Sequence, residues 1–100
     1  MDIRDFIPIG KKNAIKRQEL RRRYGASDRC VREQIALKRR ETPIINDQSG
    51  NGYYIPSEED LEDAKRFLKQ EEARAKSIFW SIRGLRKWIK EVEECMKKVS

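Results

Sequence analysis

One hundred residues leave room for one small domain and an appendage, and 24 Lys/Arg against 17 Asp/Glu give a net charge of +7. With 41% of residues charged, any core must be small. A compact three-helix module with a hairpin suits that limit better than a sandwich or a doubly wound sheet. The absence of histidine removes the commonest general acid/base and metal ligand.

The charge is unevenly placed: 13 Lys/Arg against 7 Asp/Glu in residues 1–56, a net of +6, but 11 against 10 in the remainder, a net of +1. A basic first part suits a polyanion and a near-neutral second part suits a protein partner. Cys30 and Cys95 are too few and too far apart for a zinc site or a disulfide framework. The N-terminus lacks the charged-then-apolar form of a leader, and no stretch reaches the roughly eighteen apolar residues of a membrane span. We therefore expect a soluble, cytoplasmic chain with reduced thiols, no cofactor, no metal and no membrane partner. Lacking histidine, a metal cluster or a nucleotide loop, it is not expected to be an enzyme.

Along residues 1–13, Ile3, Phe6, Ile7 and Ile9 surround Pro8, so one short turn or an extended arm is predicted to pack on the core. Lys11 and Lys12 face solvent or phosphate in this reading. A first helix is predicted over residues 14–24, with Leu20 and Tyr24 on one face and Arg21 and Arg22 among its cations. Gly25 supplies the stop, because glycine enters the left-handed conformation cheaply. The turn Gly25-Ala26-Ser27 has the length found inside a helix-turn-helix.

Ser27 caps a second helix predicted over residues 28–40, and Asp28 complements its positive end. At about 100° per residue, Val31, Gln34, Ile35 and Lys38 cluster on one side with Cys30 and Leu37 flanking. Arg29, Arg32, Glu33, Ala36, Arg39 and Arg40 fall on the other. Arginine at this density can meet guanine edges bidentately or clamp phosphates. Thr42 and Pro43 end the helix. Ile44 and Ile45 then form a short strand, residues 46–52 a loop and residues 53–55 a returning strand. One of Tyr53 and Tyr54 is expected in the core and the other partly exposed.

Ser57, followed by Glu58, Glu59 and Asp60, starts a helix predicted over residues 57–100. Its apolar residues recur at alternating intervals of three and four: Leu61, Ala64, Leu68, then, past Glu71, Ala75, Ile78, Ile82, Leu85, Ile89, Val92, Met96 and Val99. This is the heptad pattern of helix-on-helix packing. One straight helix would be about 60 Å long, more than the module can cover. Leu61, Ala64, Phe67 and Leu68 are assigned to the module, with a bend or hand-over near Glu71. The seam Ala75, Ile78, Ile82, Leu85, Ile89, Val92 and Met96 is assigned to a homodimer. Trp80 and Trp88 stand off it.

The runs at residues 10–20, 25–35 and 49–56 resemble the small winged helix-turn-helix proteins of phages and prophages of Gram-positive bacteria. The likeness rests on Gly-x-x-Asn-Ala-Ile at residues 10–15, Ser-Asp-Arg-x-Val-Arg at residues 27–32 and the glycines and tyrosines of residues 50–54. Residues 74–78 resemble a tail recurring in that group. This chain departs from the pattern where Lys16 and Arg17 replace a capping Ser/Thr, and where Asn51 separates the paired glycines. The resemblance implies DNA binding in a phage or prophage setting, with Arg29 and Arg32 at recognition positions.

The expected fold is therefore mainly α with a small β-hairpin: a winged helix-turn-helix at residues 1–56 followed by a long C-terminal helix. The expected function is sequence-selective binding of double-stranded DNA by a transcriptional regulator. Arg29, Arg32, Glu33 and Ala36 would face bases; Lys11, Lys12, Arg21, Arg22, Arg39 and Arg40 would meet phosphates; Gln48, Ser49 and Asn51 would form the wing tip. The competing expectation keeps the fold but makes the protein a replication or packaging accessory built for protein assembly.

Overall fold

The structure, a computed structural model, describes residues 1–47, 50 and 52–99. The chain is mainly helical and divides into two compact units, residues 1–65 and 66–100. In the first unit, α1 (Arg17–Tyr24) and α2 (Asp28–Lys38) precede an antiparallel pair, β1 (Ile45–Asp47) and β2 (Gly52–Tyr54), in the register Ile45 to Tyr54 and Asp47 to Gly52. A short 3-10 turn over Glu58–Asp60 leads into α3 (Leu61–Val99), which continues unbroken through the second unit.

The core follows from the helical periods. Leu20 of α1 and Val31 and Ile35 of α2 are buried, and Ile3, Ile7, Ile15, Ile44 and Tyr53 close around them. Phe6 meets Tyr24 edge-to-face with centroids 5.7 Å apart, an arrangement that favours the ring quadrupoles. Gly25 ends α1 in the left-handed region at φ 76°, and its N–H donates to the Arg21 carbonyl at 2.9 Å. The Ser27 hydroxyl accepts from the Cys30 N–H at 3.2 Å, which satisfies one of the free donors at the start of α2.

Several expectations need correction. The first helix starts at Arg17 rather than Ala14, with no side-chain cap. Ile15 instead exchanges two backbone hydrogen bonds with Tyr53, at 2.9 and 2.8 Å. Ile9 similarly forms a parallel bridge to Ile55, so the N-terminal arm borders the hairpin. β1 begins at Ile45 and β2 at Gly52, which shortens the loop. Both Tyr53 and Tyr54 are buried, at 7% and 1% exposure; successive strand residues point to opposite faces, so both faces of β2 are covered. Leu61, assigned to packing on the module, remains more than half exposed.

Candidate nucleic-acid interface

α2 presents an outward side on which Arg29, Arg32, Glu33, Ala36 and Arg40 are exposed. Its inward Val31 and Ile35 hold that side in place, because rotating the helix would expose the core. Arg29 is the most open, with its side chain 90% exposed, and its Nε donates to Glu33 Oε1 at 3.0 Å. Arg32 pairs with Asp28 at 3.2 Å, and Arg17 of α1 reaches the same carboxylate at 3.0 Å. Asp28 thus braces α1 against the first turn of α2.

The same surface continues onto α1. Arg21 and Arg22 line an open depression with Gln18 and the turn residues Gly25, Ala26 and Ser27. Arg22 and Arg23 both bind Glu19, at 2.6 and 2.9 Å. Hydrogen bonds from Arg22 first, then Arg23, hold the Glu19 carboxyl down to about 2. Arg21 and Arg40 are exposed and form no ion pair among the described residues.

Three residues assigned to phosphate contacts also hold partners within the first unit. Arg39 is half-buried, and its Nε donates to the Ile44 carbonyl at 3.0 Å, fastening the end of α2 to the start of the hairpin. The Lys11 amine lies 3.4 Å from Asp63 and the Lys12 amine 3.6 Å from Glu59. Periodicity could not show these partners, because each is brought close by a segment that follows later in the chain. The wing-tip residues Gln48, Ser49 and Asn51 lie outside the described residues.

Two polar clusters escaped the sequence reading. Buried Asp60 accepts from the Ser57 N–H and hydroxyl, at 3.0 and 3.1 Å, and from the Lys11 N–H at 3.2 Å. The Ser57 backbone bond leads the effects that lower its pKa. Ser57 and Asp60 form a reciprocal capping box, legible as Ser-x-x-Asp had the acidic member been allowed to be aspartate. The second cluster centres on Asp2, which pairs with Arg4 at 2.6 Å and Lys38 at 3.7 Å, while Arg4 donates to Thr42 at 2.9 Å. Chiefly through the Arg4 side-chain hydrogen bonds, the Asp2 carboxyl falls to about 2. This cluster ties the N-terminal turn Ile3–Phe6 to the end of α2, so it supports the interface without lining it.

Among the described residues no group of three acidic or cysteine side chains is arranged to hold a metal ion. No described helix is long and apolar enough to cross a membrane. The chain matches no protein-family model, no curated protein and no solved structure at a significant level.

Proposed function

We propose that the first unit is a winged helix-turn-helix that binds double-stranded DNA with sequence selectivity, as a phage or prophage regulator would. The observation that carries the reading is the exposed Arg29–Arg32–Ala36 side of α2, held outward by a buried Val31 and Ile35 behind a three-residue turn. Small Ala36 leaves room for close approach, and the arginines supply donors for guanine edges.

The ion pairs of Arg29 and Arg32 do not forbid this. Exposed pairs are worth about 0–1 kcal/mol, whereas a bidentate arginine–guanine contact is worth about 1–3 kcal/mol of discrimination. Exchanging Glu33 for a base is therefore favourable. Arg21, Arg22 and Arg40 supply phosphate contacts, which orient the protein on the duplex. A second copy of the chain completes the proposal, since two recognition helices read two half-sites.

Selection of bound oligonucleotides from a random duplex pool tests binding and preference together. A recovered motif is expected. Arg29→Ala and Arg32→Ala should each weaken a gel shift on that motif by about 5- to 150-fold and relax its sequence preference. If both variants leave affinity and preference unchanged, α2 is not the reading element.

A second reading draws on the exposed apolar side of residues 75–96. It makes the chain a replication or packaging accessory whose function is assembly. Weak binding without preference among DNA sequences, beside a tight protein complex, would favour it.

A further inference from the structure

We infer that the stretch of α3 from Ala75 to Met96 forms a two-stranded coiled coil with a second copy of this chain. The inference rests on the dimeric half of the proposed function and not on its DNA half, so either can fail alone.

Heptad positions a and d fall at Ala75, Ile82, Ile89 and Met96 and at Ile78, Leu85 and Val92, with no charged residue at any of them. α3 is helical throughout this stretch. Ile78 is 60% exposed, Leu85 58% and Met96 67%, and the flanking Phe79 and Trp88 are open to a similar degree. Ile82 and Ile89 are each 41% exposed as well, so this side of α3 carries a run of open apolar residues of the kind that marks an interaction surface.

The period selects the occupant. A straight helix drifts about 20° per heptad from a 3.5-residue repeat, so a strict heptad row stays in contact only with another helix that supercoils with it. The cations keep the same register: Lys69, Lys76, Arg83 and Lys90 recur every seven residues, each one position beyond a and so off the seam. Trp80 lies outside the seam as well and is covered by Arg83, whose guanidinium stands 4.8 Å from its ring. Glu71 occupies the preceding d position and pairs with Arg74 at 3.3 Å, which sets the N-terminal limit of the seam.

The residue types bear on the number of strands. Ile82 and Ile89 at a, around Leu85 at d, give the centre of the seam the β-branched-a, leucine-d combination that favours two strands.

Sedimentation equilibrium of the full chain without DNA should give twice the 11.9 kDa of one chain. Ile82→Lys combined with Ile89→Lys should halve that mass while leaving amide protection at Ile15 and Tyr53 intact. A single-chain mass for the parent protein would overturn the proposal. So would a dimer indifferent to the two lysines. A monomer that co-sediments with anionic phospholipid vesicles would replace the coiled coil with a helix lying on a membrane surface.

Discussion

Replacing Gly52 by alanine tests the joint between the hairpin and the segment before α1. Gly52 has φ +99°, and a Cβ added there would lie 2.0 Å from the Ile15 carbonyl oxygen and 2.8 Å from the Lys16 Cα. Both are backbone atoms, so no rotamer change relieves the overlap. The substitution costs about 1–3 kcal/mol for the backbone conformation alone. Displacing the strand also breaks the two Ile15–Tyr53 hydrogen bonds, worth about 0.5–1.5 kcal/mol each. The expected loss is about 2–6 kcal/mol, a fall in Tm of more than about 8 °C for a unit of this size. Gly50→Ala is the matched control, because Gly50 has φ +98° but nothing within 4 Å of its added Cβ. Urea unfolding of both variants, with hydrogen exchange at Ile15 and Tyr53, separates collision from conformational strain. Equal losses, with protection retained at both amides, would refute the close approach.

Other consequences are expected of the same surfaces. Arg21→Ala and Arg40→Ala should each reduce the salt dependence of DNA binding by about 0.9 in log–log slope while leaving sequence preference intact, as a titration in salt would show. Ser27→Ala removes the cap of α2 and should cost about 1 kcal/mol in urea unfolding. Ile35→Ala empties a buried position behind the arginine side and should cost about 2–5 kcal/mol by the same measurement. Asp2 and Glu19 have folded pKa values of about 2 against ordinary values of 3.8 and 4.5. The unfolded chain therefore binds more protons in that window, so their contribution is fully present above about pH 5 and is lost as pH falls towards 2. Asp2→Asn combined with Glu19→Gln should flatten the dependence of the urea midpoint on pH between 5 and 2.

The features legible in the residues are those set by short spacing. Ser27 marks the start of α2, Gly25 the end of α1 and Ser57 the approach to α3, because caps and left-handed stops act within a few residues. The buried Val31 and Ile35, the exposed Arg29 and Arg32, and the heptad row of α3 follow likewise from helical period. Tertiary structure decided what depended on partners distant in sequence. Ile15 has the spacing of a helical residue, but the carbonyl and N–H of Tyr53, 38 positions away, draw it into a β-bridge. Alternation leaves one of Tyr53 and Tyr54 partly exposed until both faces of β2 are covered. Lys11 and Lys12 look like free cations in the N-terminal arm, yet Asp63 and Glu59 lie 3.4 and 3.6 Å from their amines, and Arg39 looks free on the wheel until the chain beyond α2 turns its Ile44 carbonyl back to it. A wheel records direction around one axis, whereas a hydrogen bond or ion pair requires two elements to approach within about 3–4 Å. That approach is created by packing the core, and no local pattern encodes it.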